Sequence, residues 1–277
     1  MNKRKLMLKN DFIFWKAFGK IENKEILTNF IQDLTGEKVE NLVYHEQNFA
    51  PNAYQPDQIT EEMIKKQPEL KASTVEIAAN INQGTMVTVE KQDYDFHYNA
   101  ERDFYYLSKS LKMNNSDIID DWNCSLRPII GIYILDFNQF TEDENAIHTV
   151  SLMDRNLKQE FGLVKQIFFE LNKPNINVDS LERQIALKDW QTLLKNNPIN
   201  QNARDYIQKT QSIADYNNLT TKEKKVVDIL EKAKADYEAQ LSAQHIKGKK
   251  EVAQKLLKLG VDPKIIIDAT GLKKEEL

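Results

Sequence analysis

The run RPIIGIYILDF, residues 127–137, constrains the fold more than any other stretch of the chain. Successive strand residues point to opposite faces, so Ile129, Ile130, Ile132, Tyr133, Ile134 and Leu135 would load both faces of one strand with large apolar side chains. Such a strand is stable only with helices above and below it. IHTVSLM at 147–153 and VKQIFFEL at 164–171 read as further strands, and LVYHEQNF at 42–49 as an earlier one. The expectation is an α/β fold.

Helical signals flank these strands. NDFIFWKAFG places Phe12, Phe14, Trp15 and Phe18 on one short segment, with Asn10 or Asp11 able to cap it. Ile26, Leu27, Phe30, Ile31 and Leu34 recur at helical spacing before Gly36, a plausible stop. A short helix is expected at 61–66 within a proline-bearing polar stretch, and an aromatic-rich one at 98–112. From Asn177 the chain turns helical, which puts a boundary near Asn172-Lys173-Pro174. Thr220 and Glu223 form a capping-box pattern for a charged helix running to about Gln244. A further helix would end on Gly260, and Asp262-Pro263 would start the last one, closed by Gly271. The expected organisation is a domain over 1–173, a helical region over 174–244 and a small two-helix module over 245–277.

Composition excludes several classes. The net charge is −4, with 38 Lys+Arg against 42 Asp+Glu, so no global basic excess marks a nucleic-acid binder. The tail from His245 to Leu277 is locally basic, with eight lysines against five acids, which suits either phosphate contacts or an ordinary solvated face. Within it, Ile265-Ile266-Ile267 leaves one isoleucine hard to bury in a helix pair, and docking onto the first domain or onto another subunit of a homo-oligomer would cover it. The single cysteine, Cys124, rules out an intrachain disulfide and a Cys-rich zinc site, and is expected in the core. The four histidines lack zinc spacing; only His97 falls near the hairpin described next. No G-x-x-x-x-G-K-[ST] or G-x-S-x-G is present, so neither a nucleotide cofactor nor a serine hydrolase is expected. No apolar run reaches the ~20 residues of a membrane span, and no signal-peptide pattern opens the chain, so a cytoplasmic protein is expected.

VEIAANINQGTMVTVEKQ, residues 75–92, reads as two strands joined by a turn at Asn82-Gln83-Gly84-Thr85. Glu76 and Glu90 lie symmetrically about that turn, which sets them roughly opposite one another near the open end. Glu90 and Gln92 share a face, whereas Lys91 points the other way. Hard divalent cations take one or two carboxylates plus phosphate and water, so this cluster could bind one. Solvated glutamates on a half-exposed hairpin would show the same spacing.

Several segments occur here in a recognisable order: Asn10-Asp11-Phe12-x-Phe14-x-Lys16-x-Phe18-Gly19, NKEILTNFIQDL, the hairpin ending Glu90-Lys91-Gln92, ERDFYYLSKSL and PIIGIYILDF. Together with the C-terminal run from Lys247, they resemble the Rpn family of recombination-promoting nucleases and putative transposases, within the PD-(D/E)XK superfamily. The resemblance implies a restriction-endonuclease-like core, a mixed central sheet flanked by helices, with an α-helical C-terminal region. It also implies a metal-dependent DNA endonuclease using Mg²⁺, with Mn²⁺ as the alternative ion. Carried over by position, the two carboxylates fall on Glu76 and Glu90, the third polar residue on Gln92, and a backbone ligand on the Lys91 carbonyl. Asp11 is the candidate for an extra acid from the first helix, and Arg102, Tyr105 and Lys109 for contacts to DNA.

Two positions depart from the superfamily pattern. Glu76 stands where the family has aspartate, and Gln92 stands where many relatives have lysine, although glutamine is common within the Rpn family itself. A longer first carboxylate strains the near-octahedral geometry that Mg²⁺ demands. The alternative is a catalytically degenerate nuclease fold that binds DNA or protein.

Overall fold

A computed structural model describes residues 5–45, 60–66, 76–95, 99–118 and 125–276. Cys124, His97 and the second half of the expected 42–49 strand lie outside these residues. In chain order the elements are α1 (Asp11–Phe18), α2 (Lys24–Thr35), β1 (Leu42–Tyr44), α3 (Glu61–Lys66), β2 (Glu76–Ile81), β3 (Thr85–Gln92), α4 (Asn99–Asn114), β4 (Ile129–Leu135), β5 (Ile147–Asp154), β6 (Gln159–Glu170), α5 (Leu181–Leu194), α6 (Asp205–Ala214), α7 (Thr221–Lys258) and α8 (Pro263–Thr270).

The strands form one six-stranded sheet in the order β1-β2-β3-β4-β6-β5. β3, β4 and β6 run parallel, and β1, β2 and β5 pair antiparallel with their neighbours, so the sheet is mixed as expected. β2 and β3 close at a turn in which Asn82 and Gly84 adopt positive φ of 47° and 96°. Glycine meets that requirement without penalty, and Asn82 is locked by accepting from the Glu40 amide and donating to the Lys38 carbonyl.

β4 is buried at every position, as its double-faced apolar sequence requires. Against one face lies α4, whose Leu107 packs with Ala78, Met86 and Ile129. The other face carries Ile77, Val87, Val89, Ile132, Ile134, Ile167 and Phe169, all buried. Links to that side come from α1, where Asp11 meets Lys91, and from the turn after α2, where Glu37 meets Lys165. The aromatic segment of α1 feeds a ring cluster: Phe18 lies 5.1 Å from Phe30 of α2 and 5.7 Å from Trp190 of α5. Trp190 also donates to buried Asp33 at 3.0 Å, and Arg204 and Tyr206 complete that carboxylate's partners. Asn10, not Asp11, caps α1, its side chain accepting from the Phe12 amide at 3.1 Å.

By compactness the chain divides into residues 1–228 and 229–277. α5 and α6 therefore belong to the first unit, although they follow the boundary expected near 173. The expected break at about Gln244 is absent, because α7 is continuous from Thr221 to Lys258. Gly248 inside it costs only about 1 kcal/mol relative to alanine, which the surrounding Ala, Glu, Gln, Leu and Lys residues offset. The capping box forms, with Glu223 accepting from the Thr220 amide at 2.8 Å. In the second unit Ala253, Ile266 and Leu272 make a small core, and Ile265 is the isoleucine left 61% exposed. Among the described residues no helix is long and apolar enough to cross a membrane.

Candidate active site

Glu76 and Glu90 are Cα partners in the β2–β3 ladder, the last described pair at its open end. Across the parallel pairings the same row continues through Tyr133 of β4 and Phe168 of β6. Glu90 and Gln92 thus sit near the carboxyl ends of parallel strands, where open α/β sheets bind ligands. A cleft of about 410 Å³ opens at this end, lined by Asp95, Asn99, Ala100, Glu101, Asn138, Gln139 and Thr141.

Gln92 is 2% exposed and faces α4. Its Nε2 donates to Glu90 Oε1 at 3.2 Å and to Asp103 Oδ1 at 2.9 Å. Its Oε1 is buried and has no hydrogen-bond partner among the described residues. Arg102 approaches the same group, 3.5 Å from Glu90 and 3.9 Å from Asp103. Tyr133 donates its hydroxyl to the Asp103 backbone carbonyl at 3.2 Å. Burial first, then the charge of Glu90, pushes the Asp103 carboxyl up to about 7. Burial likewise raises the Tyr133 hydroxyl, and Asp103 and Glu90 add to it, so this phenol stays neutral.

Asp103 is the site residue that sequence reading missed. The signal was available: Asp103, Leu107 and Ser110 repeat at helical spacing and are the buried stripe of α4, so a carboxylate sat on an inward face.

Asp11 is not brought to this group. It meets Lys91 Nζ at 3.3 Å, and Asp93 meets the same nitrogen at 2.7 Å, on the face of β3 turned away from Glu90 and Gln92. Burial works against the Lys91 charge, but Asp93 and Asp11 outweigh it and hold its pKa above the ordinary lysine value. Of the candidate DNA contacts, Arg102 joins the site. Tyr105 is 55% exposed on the outer side of α4, with Lys109 Nζ 4.4 Å above its ring.

The family description matching the chain is that of the PD-(D/E)XK nuclease family transposases, over residues 8–244. The chain belongs to that family. No curated protein and no solved structure matches it. In this PD-(D/E)XK chain, no group of three or more His, Cys, Asp or Glu side chains among the described residues could hold a metal ion. Glu76 and Glu90, paired across the ladder, are nonetheless hard oxygen donors. Hard divalent cations take donors of that kind together with water and phosphate.

Proposed function

We propose that this chain is a metal-dependent DNA endonuclease of the Rpn type, acting in recombination or mobile-DNA movement in the cytoplasm. The observation that carries the reading is the direct pairing of Glu76 with Glu90, with a buried, unpartnered Gln92 oxygen on the same face. Glu76 and Glu90 would hold Mg²⁺ or Mn²⁺, with the Lys91 carbonyl as a third protein oxygen. A divalent cation there supplies positive charge to the phosphate and lowers the pKa of the attacking water. Gln92 orients that water by accepting its hydrogen bond through Oε1. The amide brings no charge to the transition state, and Arg102, 3.5 Å from Glu90, brings the charge that a lysine would have supplied. Tyr105 and Lys109 offer an exposed stacking and phosphate surface on the neighbouring helix turn. Asp11 serves in this reading as a partner of Lys91, supporting β3 from behind. All these residues fall within 1–173, which we keep as the functional division of the chain, with 174–244 and 245–277 as accessory regions.

Nicking of supercoiled plasmid with Mg²⁺ or Mn²⁺ tests the proposal. Wild type should cut, Glu90→Ala should not, and Glu76→Asp should cut as fast or faster, because the shorter carboxylate restores the family's geometry. A folded wild type that is silent with both ions, while Glu76→Asp cuts, would establish a chain that has lost its chemistry. The second reading, a degenerate binding module, has one observation in its favour: the Glu90 oxygen is already engaged by Gln92 and Arg102. Silence of both proteins would favour it.

A further inference from the structure

We propose that Asp103 is a positioning residue that fixes which end of the Gln92 amide faces the reacting water. The inference rests on the nuclease reading for what the amide does, but its geometry stands alone. An amide NH₂ has two hydrogens, and here both are directed at carboxylates, those of Glu90 and Asp103. In the observed orientation both amide hydrogens have an acceptor and Oε1 points away from both, whereas the turned-over amide would set its carbonyl oxygen against the Glu90 carboxylate. Glu90 satisfies one of the two hydrogens, at 3.2 Å, and leaves the other without an acceptor. Asp103 is then the acceptor that remains.

The carboxylate is built to do this. It is 1% exposed, and its helix is held by Leu107 one turn on, packed with Ala78, Met86 and Ile129. The Tyr133 hydroxyl fixes its backbone carbonyl, and Arg102 spans it and Glu90. A buried aspartate with one oxygen on Gln92 and the other without a hydrogen-bond partner among the described residues has no evident structural reason to be there.

The test is the side-chain amide of Gln92 in the metal-free full chain, observed by NMR with labelled glutamine and assigned by Gln92→Glu. Asp103→Ala should speed exchange of that amide with solvent roughly tenfold or more and move its two proton signals towards those of an exposed glutamine. Asp103→Asn, whose oxygen can still accept, should restore both. Gln191, which donates to the Lys173 carbonyl at 2.7 Å, should not change. If Asp103→Ala does not fold, Asp103→Ser replaces it, since its hydroxyl is too short to reach. In nicking assays Asp103→Ala should lower kcat roughly tenfold or more at unchanged KM and Mn²⁺ midpoint. An unchanged Gln92 amide in Asp103→Ala or Asp103→Ser overturns the proposal, as does an Asp103→Asn that behaves like alanine. A lost amide signature in a chain whose wild type does not nick would uphold the positioning and refute the nuclease reading.

Discussion

Glu76 stands directly opposite Glu90 in the β2–β3 ladder, so the open end of this hairpin holds two like charges face to face. Such a pair destabilises a sheet by roughly 0.2–1 kcal/mol relative to neutral partners. Glu76→Gln should therefore raise the urea midpoint of the metal-free protein without changing the denaturant slope. The same substitution should blunt the rise in Tm that Mn²⁺ gives the wild type, because it removes a ligand that binds only in the folded state. A variant that is no more stable, yet responds fully to Mn²⁺, would mean that these charges neither repel nor bind together.

Asp103 gives the chain an unusual pH dependence. Its folded carboxyl is raised to about 7 by burial and then by Glu90, against 3.8 in an unfolded chain. The folded state keeps a proton where the unfolded state has released it, so this contribution is fully present below about 4 and lost as pH rises through 7. At 1.36 kcal/mol per pKa unit the span is on the order of 4 kcal/mol. Asp103→Asn should match wild type near pH 4 and exceed it increasingly towards pH 8, measured by urea unfolding in chelator. A constant difference across that range would show that Asp103 is ionised throughout.

Lys91 is 6% exposed and neutralises both Asp11 and Asp93. Lys91→Met removes the cation that both partly buried carboxylates face and should cost about 3 kcal/mol, the low end for breaking a buried pair because both acids keep some solvent. Asp11→Asn should cost less and leave the Mn²⁺-induced rise in Tm intact. Loss of that response in Asp11→Asn would return Asp11 to the metal site.

The hairpin was legible in the sequence because three features pin it: a turn centred on residues 82–84, a period-2 pattern and two glutamates symmetric about the turn. That is enough to set Glu76 against Glu90. The strand order was not legible, since β3, β4 and β6 are joined by long connections that local periodicity does not describe. Asp103 was missed for a different reason. In ERDFYYLSKSL, exposed Phe104 and Tyr105 carry as much apolar character as buried Leu107, so hydrophobicity alone misjudges which face of α4 turns inward. α7 misled in the opposite sense: the charged helix is expected to stop near Gln244, but it continues to Lys258, and a helix of that length absorbs the cost of Gly248.

The residues beyond 173 carry no proposed chemistry, yet the nuclease fold should not form without them. Trp190 is fully buried among Phe18 and Phe30, its indole nitrogen on Asp33. Removing α5 would expose those rings and strip Asp33 of a donor while the carboxylate stays desolvated, a state that burial already makes unfavourable for its charge. Trp190→Ala should cost about 3–5 kcal/mol through the cavity alone, a large share of a typical domain's stability. A fragment ending at residue 173 should accordingly show no cooperative unfolding transition, although it contains every proposed metal ligand. If that fragment melts cooperatively and binds Mn²⁺, the aromatic cluster is dispensable, and the division by function would also be a division by folding.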